Sequence, residues 1–312
     1  MPSDFEDTPC PVCGNADHSP KYELPDLAYH TPGVFRLVTC DSCGQLYQSP
    51  RPTQTAIGRY YPAAYQPFGQ AIEDATTSGF LRWLKHRQLR TRCVQVARLR
   101  NSGALLDVGC ATGLFLNEMR RYGQWRLAGI EVEARAAAYA ADRFDLDVFN
   151  GQIANAPWPA RSFDVVTLWD VLEHLPDPGD ALRRLGKLLA EGGVLIASVP
   201  NLDSVDAARF GRYWTGLDAP RHFSVFRKRD FVRLLEEAGY RVMRTYCFYG
   251  RYTTFANSLV LWLRSRVRNN TFLGGLEAVV RFPLWRYLSL PYFALLDRME
   301  RGAILTVVAG RG

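Results

Sequence analysis

Between Leu105 and Leu116 the chain reads LLDVGCATGLFL, an apolar run closed by an aspartate, a turn bearing two glycines, and a second apolar run. A strand ending at Asp107, a turn through Gly109 and Gly113 and a helix from about Leu114 bring backbone close to a ligand at the carboxyl edge of a parallel sheet. Glycine permits the turn because it carries no Cβ. The alternation continues downstream, with RLAGIEV, LDVFNG, FDVVTLWDV and VLIASVPN as strands and EARAAAYAADRF and DALRRLGKLLAEGG as helices. Strands alternating with helices in this way predict a doubly wound α/β sheet covered on both faces. The turn alone does not choose a ligand. A helix N-terminus suits the phosphates of a dinucleotide, and packing alone also produces such turns.

The chain has 312 residues, enough for one large domain with appendages. Residues 1–62 are rich in Pro, Cys and aromatics and read as a small module, and residues 63–100 as an aromatic and basic linker. Residues 101–247 read as the α/β core, residues 248–302 as a helical hydrophobic insertion, and residues 303–312 as a last core strand. Phe80 to Arg100 carries seven Lys or Arg and no acid, equal to the whole formal net charge of +7. Such a helix suits anionic lipid or nucleic acid, and equally a solvated linker face. The insertion, Tyr252 to Met299, is heavy in aromatics, Leu and Arg, but Pro283 and Pro291 interrupt it and no run reaches a transmembrane length. The N-terminus lacks a basic segment followed by an apolar one, so the expected location is cytoplasmic, with peripheral contact at the inner face of a membrane as an option.

Glu131 falls at the end of the second core strand, where a carboxylate can accept both hydroxyls of a ribose. The segments NGQIANAPWPARSFDVVTLWDVLEHLPDP, EGGVLIASVPN and LLEEAGYRV, with the Asp107 turn, resemble class I S-adenosylmethionine-dependent methyltransferases over about Leu105 to Cys247. The resemblance implies a Rossmann-like seven-stranded sheet with S-adenosylmethionine as methyl donor. Asp107, Gly109, Cys110 and Gly113 would hold the methionine moiety and Glu131 the ribose. Gln152 and Ile153 would meet the adenine, and Trp169 would line the same site. Ala111 departs from the family's usual glycine and is expected at negative φ. Gln152 replaces a common aspartate, with a carbonyl that still accepts a hydrogen bond.

CPVCG at Cys10–Gly14 and CDSCG at Cys40–Gly44 are two knuckles separated by 26 residues. Each places two thiolates on one turn, so Cys10, Cys13, Cys40 and Cys43 can enclose a structural zinc tetrahedrally. Cys93, Cys110 and Cys247 lack partners in the sequence and read as packing thiols. Tyr60, Tyr61, Tyr65 and Phe68, which follow the module, are candidates for a lid over the cofactor or for a packing seam.

Methyl transfer needs alignment of the acceptor, and a base only when the acceptor must lose a proton. Asp170, Glu173 and His174 follow the fourth strand with the spacing of one helical face. The resemblance to ubiquinone-biosynthesis O-methyltransferases implies acid–base or metal-assisted chemistry there, and a helix N-terminus with satisfied polar groups is the alternative. The stretch GLDAPRHFSVF follows the fifth strand and is expected to arch over the pocket, with His222 as base and Arg221 as anchor for an anionic acceptor. A loop-capping role for His222 is the alternative.

The favoured acceptor is a small molecule or a glycan- or lipid-linked biosynthetic intermediate. A zinc-ribbon rRNA methyltransferase is a second reading, supported by the basic charge but not by the PRHF stretch, so nucleic acid is the weaker partner. A non-catalytic binding module that retains the fold is the third.

Overall fold

The structure is a computed structural model that describes residues 4–62, 79–267 and 269–312. Its N-terminal part contains β1 (Phe5–Glu6), β2 (His18–Pro25), β3 (Val34–Cys40), β4 (Leu46–Gln48) and β5 (Arg51–Pro52). Helix α1 (Gly79–Leu99) leads into β6 (Ser102–Val108), α2 (Leu114–Met119), β7 (Gln124–Glu131), α3 (Ala134–Phe144), β8 (Asp147–Asn150) and β9 (Phe163–Trp169). There follow α4 (Pro178–Leu188), β10 (Leu189–Pro200), α5 (Val205–Phe210), β11 (Ser224–Val225), α6 (Lys228–Glu237) and β12 (Tyr240–Tyr246). Helices α7 (Arg251–Arg264), α8 (Asn270–Arg281), α9 (Pro283–Leu288) and α10 (Leu290–Arg298) precede β13 (Ile304–Arg311).

The main sheet has seven strands in the order β12-β13-β10-β9-β6-β7-β8. Strands β10, β9, β6, β7 and β8 are parallel, and β13 runs antiparallel to both β10 and β12. The order reverses beside β6, so its carboxyl end with the Asp107 turn stands at the switch point where such sheets bind ligands. On one face Leu182 and Leu185 of α4 and Phe231 and Leu235 of α6 close the core. On the other, Cys93 and Val96 of α1, Leu116 of α2 and Ala140 of α3 do so. Apolar runs rather than alternating patterns mark these strands because both faces are covered.

Two boundaries differ from the sequence reading. Helix α4 stops at Leu188, and β10 starts at once, with irregular pairing between Leu189 and Val194 that absorbs Glu191, Gly192 and Gly193. The module sheet, in the order β11-β4-β3-β2, recruits its edge strand from the loop after β10. Residues 1–62 therefore do not form a separate bead: the GLDAPRHFSVF stretch is sewn into the module's sheet.

The basic helix is also more committed than its composition suggests. Arg90, Arg92 and Arg100 face Glu118, Asp170 and Asp164 at 3.4, 2.9 and 3.7 Å. Tyr65 and Phe68 of the aromatic run lie outside the described residues.

Candidate functional site

A cavity of about 1150 Å³ opens at the carboxyl end of the parallel strands. Asp107, Gly109, Cys110, Glu131, Gln152, Ile153 and Trp169, all expected at a cofactor, line it, together with Asp170, Glu173, His174 and His222. Gly113 does not. It caps α2 in the left-handed conformation at φ 75°, and a Cβ there would stand 2.7–2.8 Å from Leu146 and Ala140. Its smallness therefore serves helix packing behind the turn.

The turn itself is held by Glu131. One carboxylate oxygen accepts from the Ala111 amide at 2.8 Å and the other from the Glu133 amide at 2.8 Å. Ala111 sits at φ 47°, opposite in sign to the expectation. The bond from its amide to Glu131 holds this left-handed residue in place, and alanine has the smallest side chain that must tolerate the strain. Each carboxylate oxygen keeps a second lone pair for a ligand hydroxyl. Asp107 is buried at the strand end and accepts from the Thr167 hydroxyl at 2.6 Å. Burial pushes its carboxyl up to about 7 despite that bond and the attraction of Arg92. The Cys110 thiol is buried in the core, and a Cβ on Gly129 would stand 2.5 Å from it. Gln152 stands exposed at the rim.

Asp170, Glu173 and His174 do not share an α-helical face. Asp170 turns the chain at φ 59°, and a single 3-10 turn spans Leu172–His174. Asp170 accepts from Arg92 and from the Tyr249 hydroxyl, both at 2.9 Å, so it is a paired carboxylate. Arg92 also lies over the rings of Trp169 and Tyr249, at 5.2 and 4.7 Å. Neither Arg92 nor Tyr249 stands out in the sequence, because one sits among other arginines and the other among other aromatics.

Glu173 is fully buried, and neither of its oxygens has a hydrogen-bond partner among the described residues. Burial, reinforced by the Asp170 charge, raises its carboxyl well above the usual range. His174 Nδ1 lies 3.0 Å from the Arg221 carbonyl and 3.0 Å from the Tyr61 hydroxyl. Because the carbonyl only accepts, Nδ1 carries the proton. Burial and the adjacent His222 push His174 down to about 3, so the ring stays neutral. His222 Nδ1 donates to the Gly216 carbonyl at 2.9 Å, which leaves the lone pair on Nε2, 3.9 Å from Glu173 and from Asp218. The two imidazoles meet edge to face at 4.6 Å.

Arg221 does not reach the cavity. Its side chain is fully buried and donates to Asp26, Asp218 and the Tyr60 carbonyl, so no donor remains for an acceptor's charge. The rest of its motif has a structural logic as well. The ring of buried Trp214 lies where a Cβ on residue 216 would be, 2.2 Å away, so only glycine can present the carbonyl that orients His222. Gln54, Ile57 and Tyr61 of the N-terminal module complete the cavity wall.

The four module cysteines bring their sulfurs within 4.8 Å of one another, with the Cys10–Cys43 and Cys13–Cys40 pairs at 3.5 Å. Zinc–sulfur bonds of about 2.3 Å in a tetrahedron require sulfur separations of roughly 3.8 Å, so these four fit. Gly14 and Gly44, at φ 73° and 78°, let each amide turn back to the carbonyl of the first cysteine of its pair.

Residues 80–245 match the family model described as a methyltransferase domain. A protein of Mycolicibacterium smegmatis named as a probable S-adenosylmethionine-dependent methyltransferase is 29% identical over 142 residues, 45% of this chain and 53% of its own. A ubiquinone biosynthesis O-methyltransferase of Psychrobacter cryohalolentis is 38% identical over 105 residues, 31% of this chain and 40% of its own. The chain spans about half the length, or less, of these curated relatives. The crystal structure of the cyclase SpnF shares the fold, with a TM-score of 0.52 at 19% identity over 84% of this chain and 98% of that one.

Proposed function

This chain belongs to the methyltransferase-domain family, and from that premise we propose that it methylates a small molecule or a glycan- or lipid-linked biosynthetic intermediate. S-adenosylmethionine, as donor, supplies an electrophilic sulfonium methyl group. The observation that carries the reading is one cavity lined both by the Asp107–Thr112 turn with Glu131 and by His174 and His222.

Glu131 would accept from the ribose hydroxyls with its remaining lone pairs, and Ile153 would cover one face of the adenine. The Asp107–Thr112 turn would hold the methionine portion, where a ligand cation would favour the ionised form of Asp107. His222 would take the acceptor's proton at Nε2, held in the right tautomer by Gly216. Glu173, buried 3.9 Å from His222 Nε2, would offer an oxygen to the Nε2–H once the proton has moved. His174, in contact with His222, and Tyr61, bonded to His174, would fix the cavity wall beside it. A divalent cation assisting the acceptor would find donors in Glu173, His174 and His222, whose ligand atoms lie within 4.8 Å of one another, rather than in the already paired Asp170. Zinc on the four cysteines would be structural, with no open position for chemistry.

Calorimetric titration with S-adenosylmethionine and S-adenosylhomocysteine, with NADH as control, tests the reading. Saturable binding of the first two, weakened at least tenfold in Glu131→Ala, is expected. Binding of NADH in their place, or equal affinity in the variant, overturns the site assignment.

A further inference from the structure

We propose that the outward face of α8, α9 and α10 docks in the plane of an anionic lipid surface. The inference goes beyond the methyl-transfer reading and does not depend on it. All three helices are fastened to one support, α7. Arg264 of α7 pairs with Glu277 of α8, and the Tyr252 hydroxyl of α7 donates to the Val280 carbonyl. Arg286 of α9 donates to Thr253, and Phe293 of α10 packs on Phe255 at 5.9 Å. With their inner sides used in this way, the helices turn large apolar side chains to solvent.

Phe272 and Val279 of α8 are 62% and 56% exposed, Leu284 and Leu288 of α9 51% and 59%, and Leu295 and Met299 at α10 55% and 60%. Each pair is spaced to share one face of its helix. Single exposed apolar residues are ordinary, but a run of them on three consecutive helices marks an interaction surface. Trp285 and Tyr292 are also nearly half exposed there, and such rings favour a membrane–water boundary.

Charge selects the partner. Residues 251–299 hold seven arginines and two acids, a surplus of five. Both acids are consumed internally, Glu277 by Arg264 and Asp297 by Arg251. Among the described residues, no carboxylate lies within ion-pair distance of Arg266, Arg281, Arg286 or Arg298. Apolar side chains interleaved with arginine match an anionic bilayer, where the former enter the acyl boundary and the latter meet phosphates. A second copy would bring the same surplus against itself, and like charges across an interface are unfavourable. No helix among the described residues is long and apolar enough to cross a membrane, which leaves the in-plane arrangement.

Co-sedimentation of the full chain with vesicles of phosphatidylcholine, alone or with 30% phosphatidylglycerol as a rough working composition, tests this. Binding to the anionic vesicles is expected, with little to the neutral ones. The double variant L284E/L288E should lose at least tenfold in partitioning. Arg281→Glu and Arg298→Glu should each cost about fivefold or more. These positions are exposed, and unchanged circular dichroism and S-adenosylmethionine affinity would show that fold and site are intact. Equal partitioning of variant and parent overturns the proposal. So does a dimer in sedimentation velocity that L284E/L288E dissolves while neither protein binds vesicles.

Discussion

Arg221 and Asp26, 195 residues apart in sequence, meet as a fully buried pair in which Nη1 donates to Oδ2 at 2.9 Å and Nη2 to Oδ1 at 2.7 Å. The same guanidinium holds Asp218 and the Tyr60 carbonyl and lies over the Tyr29 ring. It therefore clasps the cysteine module to the loop that carries His222. Removing one partner strands a buried charge, so Arg221→Met should destabilise the protein by about 3–5 kcal/mol in denaturant titration. Arg221→Lys should recover little, because an ammonium cannot form the two-pronged contact. Near-parental stability of Arg221→Met would show that the clasp contributes nothing net.

Asp26 sets the acid side of that clasp. Burial alone would raise its carboxyl, but hydrogen bonds from Arg221, Thr31 and the Tyr29 amide outweigh burial and hold it well below the usual range. A depressed folded pKa gives stability that is complete above the unfolded value of about 3.9 and lost as pH falls through the folded one. Asp26→Asn should therefore destabilise most at neutral pH, and its deficit should shrink as pH drops below about 4. Melting temperatures across that window check this, and a deficit independent of pH would contradict it.

Asp107 behaves with the opposite sign. Burial lifts it to about 7, so the folded state without ligand binds its proton more tightly than the unfolded chain. That contribution is full below about pH 4, declines as pH rises toward 7 and is then level. Asp107→Asn should flatten the decline, raising the ligand-free melting temperature relative to the parent at pH 8 but not at pH 4. The same variant should bind S-adenosylmethionine more weakly, because the carboxylate is lost. Parallel curves for the two proteins would remove Asp107 as the titrating group.

In the proposed reaction His222 Nε2 takes the proton while Nδ1 donates to the Gly216 carbonyl, so His222→Asn, whose amide can still donate to Gly216, isolates the lost proton acceptor. Turnover of a hydroxyl or amine acceptor should fall by about 10²–10⁴-fold, with donor affinity unchanged. An unaltered kcat with a raised KM would assign His222 to acceptor binding alone.

The cysteine module should carry one zinc per chain by elemental analysis, lost in Cys40→Ser. Hydrogen exchange in β2–β4 should then accelerate while β6–β10 stay protected, because the ion would be what joins the two cysteine turns. Absence of zinc from protein purified without chelator would overturn the assignment.

Local pattern determined much of this protein. The period and length of the apolar runs are visible residue by residue, so the strand–helix alternation, the Asp107 turn and the carboxylate of Glu131 were legible, as was the pairing of two CxxCG knuckles. Ligand-binding turns and metal knuckles are short-range geometry, and short-range geometry is written in adjacent residues. Tertiary structure decided what depends on distant partners. It turned Arg221 from an acceptor anchor into a buried clasp on Asp26, committed Asp170 to Arg92 and Tyr249, and left the buried Glu173 carboxyl without a hydrogen-bond partner among the described residues. Arg90 and Arg92 of α1, with Arg100 just beyond it, face the core carboxylates Glu118, Asp170 and Asp164, partners that their place in a basic run does not reveal. A side chain's charge state and freedom follow from what surrounds it in space, and a linear sequence does not list those neighbours.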